Sequence, residues 1–465
     1  MKNRMAIIAA PLALGAICSV ALAIWLATAR APDIQKRVPG QTGEVAGLER
    51  VTVTGEKNTG TLIVGEGEPV EDAGLWPEFR GSDGTNIARD AKGLAREWGD
   101  GEPKKLWEIT VGEGHAGPTV HNGRVYLVDY DREKEEDAIR CLSPEDGSEI
   151  WRYTYSVKIK RNHGMSRTVP AVNDDYLVSI GPKCDVRCLN AKTGELVWKM
   201  DLVEQFGTTV PPWYAGQCPI IEGDRVILAP GGDPLMMAVE LATGEIVWRT
   251  QNPGNWGMTH SSIVGMDYNG SRQYVYCTTR GVVGVAAEDG ELLWTKPDWK
   301  IAIANVPTPV VVGDDRIFFS GGYKSGCVMV RLKGEGTEIE TEEVFRLDFK
   351  VFGAEQQTPI LYKGHIYGVI PSGELACLDL EGNRLWTSGR ATRFGLGPYM
   401  LADGLIFVLH DQKCTLHVAE ATPEEYRELA SAQVLEGHDA WGPMAMANGR
   451  LLLRSLTKMV CLQVP

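Results

Sequence analysis

The chain has 465 residues, beyond the roughly 250 to 300 that one compact core accommodates, so it is either several domains or a repeat array. Lys plus Arg total 47 against 61 for Asp plus Glu, and the formal charge of -14 opposes the broad positive footprint that a phosphate backbone demands. No nucleic-acid partner is expected.

Met5 to Ala29 is an apolar run of 25 residues without a charge, preceded by Lys2 and Arg4. As a helix it would be about 37 Å long, enough to cross a hydrocarbon core of about 30 Å. Residues 1–30 therefore read as a transmembrane signal anchor. A cleaved signal peptide is the alternative, because Ala27-Thr28-Ala29 has the small-x-small form of a cleavage site. A long following domain tends to translocate whatever the flanking charges, so the bulk is expected outside the cytoplasm. That places it on the periplasmic side of an inner membrane, or secreted if the leader is cleaved. Cys18 follows the bulky Ile17, a poor fit to a lipobox, and no lipidation is expected. Residues 31–75 read as a linker, within which Val51-Thr-Val-Thr and Thr61-Leu-Ile-Val form a hairpin through a turn containing Gly60.

From residue 76 to 465 one string recurs: CLSPEDGSEIW ending at Trp151, CLNAKTGELVW at Trp198, AVELATGEIVW at Trp248, GVAAEDGELLW at Trp294, and the shorter CLDLEGNRLW at Trp386. Each is a short apolar strand, a turn whose Gly supplies positive φ, and a second strand closing on Trp, which is a β-hairpin. From Trp107 the spacings are 44, 47, 50 and 46, and the 92 between Trp294 and Trp386 leaves one unit with Phe345 at the Trp place. That period is a four-stranded propeller blade. Inner hairpins begin near Pro118, Pro170, Pro219, Ser262, Pro309, Pro359, Pro398 and Pro443, giving eight blades. The last unit lacks a fourth strand, while Lys104 to Val111, with Trp107, is an orphan fourth strand. It is expected to complete the last blade and close the ring, removing open sheet edges. The fifth unit has GEGTEIETEEVF in place of the turn motif, and TPEEYRELA in the seventh is expected to form a helical turn. The fold class is thus all-β, an eight-bladed propeller preceded by the leader.

This repeat resembles that of the pyrroloquinoline-quinone (PQQ) propeller superfamily, also called quinoprotein alcohol dehydrogenase-like. The resemblance implies that each Trp (Trp107, Trp151, Trp198, Trp248, Trp294, Trp386) docks between neighbouring blades against the small first residue of a motif. WPEFRG at Trp76 to Gly81 resembles the segment preceding many non-enzymatic members, the branch that includes the outer-membrane assembly lipoprotein BamB. Members that use PQQ have a vicinal Cys-Cys disulfide, a catalytic Asp, and Glu and Asn calcium ligands. No adjacent Cys pair exists here, and Glu355 with Asn305 is an unconvincing calcium pair.

Cys141, Cys188, Cys377 and Cys461 stand where sister repeats have Ala238 and Gly284, and read as buried small residues. Cys184 and Cys188 lack a second pair at zinc spacing, so no metal is expected. Bridges Cys184 to Cys218 or Cys277 to Cys327 remain open readings.

Loops leading into the innermost strands rim one mouth of a propeller channel. Here they carry His115, His163, Arg167, Trp213, Tyr214, Gln217, Trp256, His260, Asn305, Glu355, Gln357, Arg393, His438 and Trp441. As a set they suit a planar polar ligand or a peptide loop, or alternatively satisfy buried backbone near the crowded axis. The leading expectation is a monomeric, non-catalytic propeller that binds a protein or envelope partner and needs no cofactor. The alternatives are an oxidoreductase of alcohols or sugars using PQQ with calcium, and a carbohydrate-binding propeller using Trp213, Trp256 and Trp441.

Overall fold

Eight antiparallel sheets follow one another along the chain in the computed structural model, which describes residues 49–52, 60–101, 103–160 and 165–464. The first blade shows the plan. Strands Thr119–His121, Arg124–Asp131, Glu136–Leu142 and Glu149–Ser156 run from the axis outward, joined in sequence order by tight turns. Blades two to six repeat it, the fourth strand of blade five being Glu340–Leu347 with Phe345 opposite Met329. Blade eight is closed as expected: Lys104–Thr110 pairs antiparallel with Lys458–Gln463, placing Trp107 opposite Cys461.

The repeat motif explains itself in the packing. The small first residue of each motif is the cross-strand partner of its own Trp, as in Cys141 and Trp151, Cys188 and Trp198, Ala238 and Trp248, and Cys377 and Trp386. A register shift follows each of these pairs. The bulge turns the indole out of its own sheet and onto the next blade. There it lies on the turn glycine of the neighbouring motif. A Cβ on Gly194 would sit 2.6 Å from Trp151, on Gly244 2.8 Å from Trp198, and on Gly290 2.4 Å from Trp248. Four indole N–H groups donate to a backbone carbonyl of that blade: Trp107 to Pro144 (2.9 Å), Trp198 to Leu241 (2.7 Å), Trp248 to Ala287 (3.0 Å) and Trp386 to Thr422 (2.9 Å), whereas Trp151 Nε1 has no partner among the described residues. In blade five the turn glycines, Gly334 and Gly336, do not lie against the preceding indole, Trp294. Trp294 still packs with Ile317, Val330 and Leu332 of blade five, but its indole N–H donates to Gln273 Oε1 of its own sheet at 2.7 Å.

Four details differ from the sequence reading. TPEEYRELA forms no helical turn; it enters an outer strand, Glu428–Gln433, paired with Thr415–Glu420. The Cys184–Cys218 and Cys277–Cys327 bridges are not formed, since the nine described cysteines are free and buried. Glu49–Thr52 and Thr61–Val64 pair as expected, but the hairpin does not stand in a linker: Thr61–Val64 extends blade one by pairing with Glu149–Ser156. Residues 72–88, a segment overlapping the expected linker, lie across the innermost strands. The expected membrane span, residues 5–29, falls outside the described residues. Among the described residues no helix is long and apolar enough to cross a membrane.

Candidate functional site

In a four-stranded blade the loop leading into the first strand and the turn between the second and third strands lie at the same end. The loop mouth is therefore built from both sets, and the residues singled out above divide into three groups there.

The first group is consumed by the scaffold. Gln217 is fully buried; its Nε2 donates to Ala229 O (3.1 Å) and its Oε1 accepts from Ala229 N (3.0 Å). Gln217 Nε2 also lies 2.9 Å from the hydroxyl of Tyr276, tying blade three to blade four. Gln357 Nε2 donates to Trp441 O at 2.8 Å and so binds the blade-six loop to that of blade eight. Tyr214 donates its hydroxyl to Lys160 O at 2.7 Å. Trp256 is held through its N–H, which donates to Asn252 Oδ1 at 2.8 Å. The Gln217, Gln357 and Tyr214 side chains thus bond backbone groups, while at Trp256 it is the main-chain N–H that is bonded.

The second group forms a compact cluster on blades two to six. Arg167 Nε donates to Trp213 O at 2.8 Å, and the Trp213 and His260 rings are 6.3 Å apart. His260 N donates to Asn305 O at 3.1 Å. Burial, with the Arg167 cation nearby, pushes the His260 imidazole down to about 4, so it is neutral at physiological pH. Asn305 is 3% exposed, and neither atom of its amide has a hydrogen-bond partner among the described residues. Trp213 and Tyr214 both hold positive φ, at 63° and 74°. Consecutive non-glycine residues in this region store about 1 to 3 kcal/mol each. Tyr323, on the second-to-third-strand turn of blade five, feels both Glu355 and Arg167. Burial raises the Glu355 carboxyl above its usual range. Tyr323 was missed by reading only the leading loops; its turn carries no repeated motif.

The third group is peripheral. His115 is buried with its ring 4.8 Å from that of Trp441, whose indole N–H donates to Asp411 at 3.3 Å. Arg393 and His438 are exposed, His438 lying 3.1 Å from Asp439. His163 falls outside the described residues. A recess of about 270 Å³ opens between blades six and seven, lined by Glu355, Gln357 and Gly373 among others.

Beneath the blade-one loop lies a buried carboxyl. Asp137 accepts from Tyr155 Oη at 2.6 Å and from Ser166 Oγ, and Ser166 O in turn accepts from His115 N at 2.7 Å. Desolvation raises Asp137 to about 7, against the hydroxyl bonds and the Arg187 charge, with Asp129 adding to the rise. Native protein thus binds a proton there that unfolded chain, with a carboxyl near 4, releases. Stability from this group is greatest below pH 4, falls as pH rises from 4 to 7, and levels off above. Asp137→Asn is expected to flatten that fall, so that the variant's advantage in melting temperature grows from pH 4 to pH 7. A parallel displacement of the two melting curves at every pH would contradict it.

A family model described as outer membrane protein assembly factor BamB matches residues 134–388, more than half of the chain. The chain belongs to the BamB family. Among curated relatives, BamB of Moranella endobia (strain PCIT) is 23% identical over 330 residues, 67% of this chain and 68% of that one. The crystal structure of BamB from Moraxella catarrhalis superposes with a TM-score of 0.53 at 13% identity, covering 77% of this chain and 97% of that chain. The quinohemoprotein alcohol dehydrogenase ADHIIG from Pseudomonas putida HK5 superposes at 0.58 with 12% identity, covering 85% and 81%. Likeness at such identity establishes the shared propeller fold.

The residues of this BamB-family chain do not fit PQQ with calcium. Among the described residues no three His, Cys, Asp or Glu side chains are grouped to hold a metal ion. Glu355 belongs to no such group, whereas a calcium ion takes about six to eight oxygen ligands, carboxylates foremost.

Proposed function

We propose that this chain is a non-catalytic binding propeller of the bacterial cell envelope, held outside the cytoplasm by residues 5–29, that grips a protein partner at its loop mouth. Membership of the BamB family supports the envelope role. The observation that carries the site is an amphipathic patch on blade five beside the cluster. Ile303, on the loop leading into blade five, is 52% exposed and Tyr323, on a turn of the same blade, 44% exposed, the latter within the fields of Arg167 and Glu355. Exposed large apolar side chains beside polar and charged groups mark protein contact surfaces. The strained Trp213–Tyr214 loop and the unpaired Asn305 amide add recognition groups that an inserted peptide loop would satisfy.

The test is capture from envelope membranes with the intact chain against Ile303→Asp/Tyr323→Asp. Loss of the co-purified partner by about tenfold or more, with unchanged melting temperature, is expected for two anchor residues. Equal capture by both proteins removes the site. Should added PQQ and calcium give a stoichiometric quinone absorbance and dye reduction with alcohols or sugars, the non-catalytic reading falls.

A further inference from the structure

The first strand of every blade is a sheet edge, so its axis-facing N–H and C=O groups have no ladder partner. At the mouth opposite the loops, residues 72–88 supply partners around most of the ring. Asn448 Nδ2 of blade eight donates to Asp72 O. Trp76 and Val120 of blade one exchange both backbone bonds, each 2.8 Å. Val172 N of blade two donates to Pro77 O at 2.9 Å, and Ile221 N of blade three reaches the Glu78 carboxyl at 3.4 Å. The chain then crosses the axis. Arg80, 6% exposed, donates to Thr358 O (3.0 Å) and Pro359 O (3.1 Å) of blade six and to Gly84 O and Thr85 O of its own turn. Leu401 N of blade seven donates to Asn86 O at 3.1 Å, Asn86 Nδ2 donates to Tyr399 O at 2.7 Å, and Ile87–Ala88 runs parallel to Tyr399–Ala402. The crossing needs Gly81 at φ 82°, where a Cβ would meet the Trp76 ring at 3.0 Å.

We infer that this mouth is a docking groove for an extended peptide, and that the chain fills it with its own residues 72–88, leaving the channel blind and open only toward the loops. Main-chain pairing to sheet edges supplies the binding, and two anchors fix the register: Trp76, buried in the core beside Val120, and Arg80, whose guanidinium forks over four carbonyls. Cys218, Ser262, Thr308 and Thr358 are buried and bridge neighbouring first strands, Cys218 N to Ser262 Oγ at 2.9 Å and Thr308 N to Thr358 Oγ at 2.9 Å. This inference stands independently of the partner proposed above.

The test uses the full chain with Trp76→Ala/Arg80→Ala. Amide exchange at Val120, Val172 and Leu401, whose protection comes from the segment, is expected to quicken about tenfold or more, while Tyr126, Leu177 and Ile406 on the second strands stay slow. A synthetic peptide of residues 72–88 added in trans restores protection, and a peptide of scrambled order does not. Slow maleimide labelling of the nine described buried thiols shows that the variant stays folded. Unchanged exchange in the variant, or no restoration by the peptide, overturns the groove. If the double variant unfolds, seen as all the buried thiols labelling together, Arg80→Lys serves instead. It keeps the charge but loses the fork, and exchange at Leu401 should then rise about threefold. No change there also overturns the inference.

Discussion

Trp198→Ala is expected to destabilise the propeller by about 3 to 5 kcal/mol, measured by denaturant unfolding, because it empties a buried inter-blade socket. The indole lies against Gly244 of the next blade and its N–H donates to Leu241 O, so the alanine leaves that buried carbonyl with only the weak Cys188 Sγ donor at 3.6 Å. The reciprocal change is a sharper probe. Gly244→Ala adds one methyl where φ is 76° and where the new Cβ would stand 2.8 Å from Trp198 Cγ. Strain and overpacking act together there, and a loss of about 2 to 4 kcal/mol is expected. Because the two residues share one socket, the double variant should cost less than the sum of the singles. Additive losses, or a loss below about 1 kcal/mol for Trp198→Ala, would mean that the indole does not hold the blades together.

Deleting Lys104–Thr110 is expected to have the largest effect on the molecule. It removes Trp107 from its socket on Gly147 and bares the edge of Lys458–Gln463. The loss should exceed the roughly 3 to 5 kcal/mol of one buried aromatic, and the bared edge should template association, visible by light scattering after size exclusion. Arg454 adds a second clasp across the same seam: fully buried, it donates to Gly112 O at 2.9 Å and Leu456 O at 3.0 Å. A soluble monomer with unchanged melting temperature after the deletion would show that the ring does not depend on this strand.

Blade number, blade order and the closing strand were all legible in the sequence, because each rests on a short-range signal repeated many times. Thr-Gly or Asp-Gly turns, the small residue and the Trp each act within one hairpin, and the period between them counts the blades. The degenerate fifth unit still places Phe345 correctly, since its cross-strand position follows from strand pairing alone. In the seventh unit Glu424 and Glu425 have high helix propensity, but they lie in the short connection between Thr415–Glu420 and Glu428–Gln433, whose pairing leaves no room for a helical turn.

The candidate site was only half legible. Its loops could be found by counting back from each first strand, but not which side chains the scaffold would use up. Gln217 and Gln357 look like ligands in sequence and are spent on neighbouring loops, whereas Tyr323 has no motif and joins the cluster through a turn.

By itself, the sequence determined the all-β repeat, its eight units and the Trp sockets, because those depend on residues a few positions apart. Only the tertiary structure decided that residues 72–88 seal one mouth, that Asp137 is buried among Tyr155, Ser166 and Arg187, and that Arg167, His260 and Asn305 meet. Apart from the Asp137–Tyr155 pair, which lies within blade one, those contacts join parts of the chain far apart in sequence, and closing the ring is what brings them within bonding distance.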